Sequence, residues 1–266
     1  MDSQRLLPKK LYKYRALSTG QDLEWVKDIL LNNRLYFPTR LGFNDPFDSR
    51  IHFDWESTED QWRKRLENDF AKQPLPPEFE GRHVDYVEAL LQKGMISVLE
   101  KRGGPTHDQI VDKYRILSLC ESPKDILMWS HYGSCHSGIC LEFKVSKESP
   151  FSKVRAVEYA KEYPKVKVAL ADRETEIKAL LTKAKVWKYE KEWRAVRDQA
   201  SEYYPFPKEC LSGVILGCQI DPTNKPLIKE WLSMRLSPVM LYEAVKSKDK
   251  FALEIQKIET IGPTVL

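Results

Sequence analysis

An α+β fold, with a mixed or largely antiparallel sheet and flanking helices, is what this 266-residue sequence predicts. Three observations carry that expectation. Short apolar runs bounded by Gly, Pro, Asn and Asp recur along the chain and read as strands. Between them lie segments whose apolar residues repeat at helical spacing. The two kinds alternate without the regular spacing of βαβ units, and no Gly-rich phosphate loop or internal repeat interrupts them. The expected organisation is one domain over 1–266 with a helical insertion near 57–102.

The elements follow in order. Residues 11–17 form an opening apolar strand. Ser18 and Gln21 make a capping box, and Leu23, Val26, Ile29 and Leu30 then share one helical face that ends at Asn32-Asn33. Leu35 to Phe37 is a short strand. Asn44, Asp45, Pro46 and Asp48 supply turn chemistry, with metal binding as the lesser reading. Thr58 and Gln61 form a second capping box, ahead of Trp62, Leu66 and Phe70. Val84, Val87, Leu91 and Leu99 suggest one further helix, closed by Gly103-Gly104. These helices serve either as packing on a sheet face, the preferred reading, or as a lid.

The densest stretch is 117–145, which reads as strand, helix, strand. Tyr114 to Leu119 suits a buried strand. Ser122-Pro123 starts a helix, with Asp125 in its first turn and Gly133 as its stop. Gly138 opens a strand, 139–145, with Glu142 and Lys144 facing outward. His131 and His136 lie in the intervening turn. Further strands are expected at 154–159, from Glu192 to Arg197, at 211–216, at 238–244 and at 251–258. Helices are expected around Ile177, Leu180, Leu181 and Ala184, and at 224–234.

Composition bounds the function classes. Apolar residues make up 42% of the chain and aromatics 11%, enough for a substantial core, while 31% charged residues suit a soluble protein. No run of about 18 apolar residues predicts a membrane span, and the first residues, Met1 to Pro8, lack a signal peptide's apolar stretch. Net charge is +4, from 43 basic and 39 acidic residues, which does not establish a nucleic-acid partner. The five cysteines, Cys120, Cys135, Cys140, Cys210 and Cys218, are odd in number and form no C-x-x-C pair. They read as reduced thiols of a cytoplasmic protein. Zinc on Cys135, Cys140 and His131 or His136 is disfavoured, because closed zinc sites usually come as two tight ligand pairs. No metal is expected.

Several motifs combine in one order. They are Leu11-Tyr12-Lys13-Tyr14-Arg15, Phe43 to Asp48 (Phe-Asn-Asp-Pro-Phe-Asp), Met128 to Phe143, Lys185 to Arg194 (Lys-Val-Trp-Lys-Tyr-Glu-Lys-Glu-Trp-Arg) and Val214 to Gly217. On these the chain resembles the bacterial domain-of-unknown-function family 2971. That family label implies no activity. A more distant similarity is to ADP-ribosyltransferases of the Arg-Ser-Glu type. Tyr14-Arg15 stands at the first-strand arginine and Ser118 at the Ser-x-Ser strand, with Cys120 replacing the second serine. Glu190-Lys191-Glu192 stands at the Glu-x-Glu.

The resemblance implies cleavage of the nicotinamide–ribose bond of NAD and transfer of ADP-ribose to a protein or nucleic acid, as in a bacterial toxin or defence effector. That bond breaks through an oxocarbenium-like state, which Glu192 would stabilise. Glu190 would orient or deprotonate the acceptor. Arg15 would hold the pyrophosphate, Ser118 would position the ribose, and Trp129 or Tyr132 would stack on the nicotinamide. Tyr14 flanks that cofactor site. The three motif strands should then be neighbours, with Arg15, Ser118 and Glu192 converging on one cleft.

Two other classes stay open. One is a hydrolase or nuclease using His131 and His136 as a pair with Asp45, Asp48 and Glu142. The other is a binding module in which Lys185, Lys188, Lys191 and Arg194 interleave with Trp187, Tyr189 and Trp193. Plain readings accompany both. Glu190 and Glu192, two apart, share a strand face by either account, and the histidines alternatively brace the turn around Gly133 and Gly138.

Overall fold

The computed structural model describes residues 6–102, 111–147, 149–198 and 201–262. In chain order the main elements are β1 (Lys10–Arg15), α1 (Gly20–Asn32), α2 (Glu59–Phe70), α3 (His83–Gln92), α4 (Met95–Arg102), β2 (Tyr114–Cys120), α5 (Ile126–Tyr132), β3 (Ile139–Lys144), β4 (Arg155–Ala156), α6 (Arg173–Leu180), β5 (Glu192–Asp198), β6 (Leu211–Leu216), α7 (Asn224–Ser233), β7 (Val239–Lys246) and β8 (Leu253–Ile261). Contacts divide the chain into two compact units, one of 1–42, 114–159 and 185–266, the other of 43–113 and 160–184.

The first unit is built on an eight-stranded sheet in the order β8-β7-β6-β3-β1-β2-β5-β4. Its pairings are antiparallel except β6 with β7, which are parallel and joined through α7. This is the α+β class with a mixed, largely antiparallel sheet. Strand alternation gives the sheet two faces. On one, Leu11, Leu117, Leu119, Leu141, Phe143, Trp193, Val214 and Leu241 bury against Val26, Ile29 and Leu30 of α1 and Ile228 and Leu232 of α7. Each such side chain, fully buried, contributes about 1.5–3 kcal/mol. On the other face, Tyr14, Cys120, Cys140 and Ile215 pack with Met128 and Trp129 of α5.

Local chemistry departs from expectation at several points. The capping box of α1 uses Thr19 and Asp22 instead of Ser18 and Gln21. Asn33 then ends the helix in a left-handed conformation, φ 51°. The N-cap of α5 is Asp125, whose Oδ1 accepts from the N–H groups of Leu127 and Met128 at 2.9 and 3.0 Å. Ser122 instead accepts from Lys124 N–H in the preceding turn. Glu142 is buried, not outward, for a reason given below.

The ladder at the sheet centre is incomplete. β1 pairs with β3 from Lys10 to Arg15 and β2 pairs with β5 along its length, yet β1 and β2 share only the position Tyr12↔Cys120. Other groups satisfy the open edge of β2. Ile116 N–H bonds Pro38 O at 2.9 Å, and Lys13 Nζ donates to Ser118 O at 2.9 Å. Burial, then Arg15 beside it, draws the Lys13 ammonium down to about 7.

The second unit holds α2, α3, α4 and α6. α2 begins at the predicted Thr58–Gln61 capping box. It meets α3 through Arg63–Glu88 and through Phe70 set edge-on to Tyr86 at 5.0 Å. The single helix expected from Val84 to Leu99 is two helices. Gly94, at φ 75°, turns the chain between α3 and α4. The expected stop at Gly103-Gly104 lies outside the described residues. Here too Asp48 pairs with Lys183 at 3.4 Å, and Glu176 with Lys113 at 2.6 Å.

Candidate functional site

The stretch after α5 is shaped by backbone demands. Ser134, Cys135 and His136 are all left-handed, with φ of 50°, 51° and 69°. Such residues strain an L-amino-acid chain, and hydrogen bonds offset the strain. The N–H groups of Gly133 and His136 both bond Trp129 O, Cys135 N–H bonds Ser130 O, and Gly138 N–H bonds Gly133 O at 2.8 Å. The Trp129 and Ser130 carbonyls, two of the open ones at the end of α5, are satisfied this way. A Cβ on Gly138 would stand 2.1 Å from Arg15 O, and one on Gly217 would stand 2.1 Å from His136 O. Gly217 N–H in turn bonds Gly138 O at 2.9 Å. The motif pieces around Arg15, Gly138 and Gly217 therefore meet as closely packed backbone.

The three strands of the expected triad are neighbours, but their side chains do not converge. Arg15 lies opposite Ile139, on the α1 side of the sheet. Ser118 lies opposite Arg194 and Glu192 opposite Cys120, on the other side. Arg15 is thus excluded from a common cleft with Ser118 and Glu192, because odd and even strand positions face opposite ways. Burial draws the Arg15 guanidinium down to about 10, partly offset by Asp22.

Glu192 is also differently placed from expectation. It is 3% exposed and grips Arg194, itself 1% exposed, through two bonds of 2.7 and 3.1 Å. That bidentate pair belongs to the interior. Glu190 and Glu192 do not share a strand face, because Lys191 is left-handed at φ 46° and β5 begins only at Glu192. Trp193, grouped with Trp187 and Tyr189 in the binding-module reading, is core, with its Nε1 donating to Glu121 at 2.9 Å.

Tyr14 and Trp129 form an edge-to-face pair at 5.0 Å. Tyr14 Oη donates to Ser122 O and Trp129 Nε1 to Pro123 O. Trp129 is fully buried, so its ring has no face for nicotinamide. Glu142 accepts from Tyr12 and Ser212 at 3.2 and 2.7 Å and pairs with Lys10 at 2.9 Å, which explains its burial. Burial, then this carboxylate, pushes the Tyr12 phenol up. Asp45 accepts from Phe47 N–H and Asp48 from the Ser49 hydroxyl, which is turn chemistry. Among the described residues no cluster of three or more His, Cys, Asp or Glu is placed to hold a metal.

The two histidines have different neighbours. His136 lies parallel to Trp129, centroids 6.2 Å apart, with Nε2 3.3 Å from Ser130 Oγ. Burial, then Lys246, pulls its pKa below the usual histidine range. His131 is exposed and stands instead near the rings of Tyr132, Trp187 and Tyr189, at 6.3, 6.1 and 6.4 Å. Within that ring group Tyr132 Oη donates to Glu190 at 2.8 Å, and Glu190 is 3% exposed. The short 3-10 turn Lys185–Glu190 brings Trp187, Tyr189 and Glu190 there. A buried carboxylate, oriented by a phenol and bordered by aromatic rings, is the arrangement of this unit best suited to chemistry on a ring-bearing substrate.

The class so defined is an α+β protein with a ring-bordered carboxylate site on a mixed sheet. Residues 128–195 match the family described as "Protein of unknown function (DUF2971)". The segment contains α5 from Met128 onward, the left-handed turn, β3 and the Tyr132–Glu190 contact. Neither a curated protein nor a solved structure matches the chain.

Proposed function

We propose that the protein is an enzyme acting on the nicotinamide–ribose bond of NAD, of ADP-ribosyltransferase or NAD-glycohydrolase type, with Glu190 as its carboxylate. The observation that carries this reading is the Tyr132–Glu190 hydrogen bond within the ring group of His131, Trp187 and Tyr189. Positive charge develops on the ribose as the bond breaks. A fixed carboxylate in a poorly solvated place stabilises that charge more than water would. The Tyr132 hydroxyl holds the carboxylate in orientation, and the partly exposed rings offer faces to the flat nicotinamide. Arg15 and Glu192 have no part in this version. The acceptor is water, protein or nucleic acid.

The test is nicotinamide release from NAD. Glu190→Gln should slow it by about two to three orders of magnitude while NAD binding changes little. Absence of release by the wild-type protein, or undiminished release by folded Glu190→Gln, overturns the reading.

A second reading is a binding surface for single-stranded nucleic acid. Lys185, Lys188 and Lys191 are exposed and alternate with Trp187 and Tyr189, a mixture that suits stacked bases beside a phosphate chain. Oligonucleotide binding that weakens steeply with salt, without NAD turnover, favours this second reading.

A further inference from the structure

We propose that a cavity between α5 and the β7–β8 hairpin binds a nucleoside phosphate, independently of the site at Glu190. The cavity measures about 590 Å3, a volume typical of small-molecule sites. Ile126, Leu127 and Ser130 of α5 and His136 line one side, and residues 246–253 of the hairpin line the other.

The hairpin loop is held in shape. Ser247 N–H bonds Ala252 O at 3.0 Å, and Ala252 N–H bonds Lys250 O at 2.8 Å. The Ser247 hydroxyl donates to Asp249 at 2.9 Å. Asp249 is the loop's one acidic side chain, against the three lysines Lys246, Lys248 and Lys250. Lys246, Lys248 and Lys250 are exposed and make no ion pair among the described residues. The mouth is therefore cationic, and the lowered pKa of His136, caused in part by Lys246, agrees with a positive field there.

The rest of the lining is apolar or planar. Ile126 and Leu127 are 41% and 44% exposed and Phe251 is fully exposed, while the flat His136 ring is backed by Trp129. A ligand that suits both halves carries negative charge at one end and a flat ring at the other. A simple anion leaves the apolar half unused, and an apolar chain leaves the lysines unpaired. Phosphate groups would meet the lysines, which bind them as point charges. The base would lie against Phe251 and Leu127, with Ser130 and Gln219 at its polar edge.

Calorimetry with ADP, adenosine and inorganic phosphate as separate probes tests this. ADP should bind, and adenosine and phosphate should each bind at least about tenfold more weakly, because each satisfies one half of the site. The exposed double variant Lys248→Ala/Lys250→Ala should weaken ADP binding about tenfold, with steeper salt sensitivity in the wild type. Phe251→Ala should weaken it by a similar factor. Melting curves check that both variants fold. Failure of ADP to bind at millimolar concentration, or binding unchanged in both variants, overturns the proposal. So does binding lost in Trp187→Ala and retained in the loop variants, which assigns ADP to the site at Glu190. ADP binding by the loop variants and nicotinamide release by Glu190→Gln are separate readouts, so the two proposals can fail separately.

Discussion

At the scale of residues, environment decides between chemically identical groups. Glu190 and Glu192 are two positions apart, yet one receives a tyrosine hydroxyl beside aromatic rings and the other is clamped by a buried guanidinium. Their replacements should separate. Glu192→Gln removes the carboxylate charge that grips the buried Arg194 guanidinium and should cost about 3 kcal/mol of stability, read as a lower urea midpoint. Glu190→Gln should melt near the wild type and lose NAD turnover instead. Lys13 gives a pH prediction. Its pKa is drawn down to about 7 in the folded protein from an ordinary 10.5. Between those values the unfolded chain holds a proton that the folded chain has released, so this group's contribution to stability rises as pH climbs through that window. Below about 7 both states are protonated and the burial penalty is complete. Urea melts of wild type and Lys13→Met at pH 7, 8 and 9 should converge as pH rises. A constant difference contradicts the assignment. None of this was legible beforehand, because burial and pairing at Lys13, Glu142 and Glu192 depend on strands distant in sequence.

At the scale of elements, local signals read well where the chain itself supplies the partner. The Thr58–Gln61 capping box and the Asn33 end of α1 appear where the sequence puts them. The α1 cap shifted by one residue because Thr19 and Asp22 make the same reciprocal bonds as Ser18 and Gln21 would. Glu190 and Glu192 do not share a face because a left-handed Lys191 breaks the strand register, and lysine gives no sign of that in sequence. Gly133 and Gly138 were readable as a stop and a start, but the three left-handed residues between them were not. The turn yields a prediction of its own. Gly138→Ala and Gly217→Ala would each drive a Cβ into a backbone carbonyl, so each should lower stability by about 3 kcal/mol or more. Cys135→Gly removes a left-handed side chain that is exposed, and should raise stability by about 1 kcal/mol. Denaturant midpoints for the three variants decide it. Tolerance of alanine at both glycines contradicts the close-packed account.

For the whole chain, the α+β class was legible because apolar periodicity fixes strands and helices even where their pairing stays hidden. The sheet order was not legible. Strands β1, β2 and β5 do adjoin, as the triad required, but the odd position of Arg15 sends it to the α1 face. A motif that matches strand by strand can therefore still fail at the level of face. The candidate site lies at the end of α5 and the start of β5, and it was only half visible: Tyr132, His131 and Glu190 stood out as residue types, while Trp187 and Tyr189 stood out only as a mixture with lysines. The most direct measurement is single-turnover nicotinamide release from NAD by wild type, Glu190→Gln and Tyr132→Phe, each shown to be folded by its melting curve. The predicted result is release by the wild type, a loss of about two to three orders of magnitude in Glu190→Gln and a smaller loss in Tyr132→Phe, with NAD affinity nearly unchanged in both. Equal release by all three, or none by the wild type, would contradict the assignment of this site.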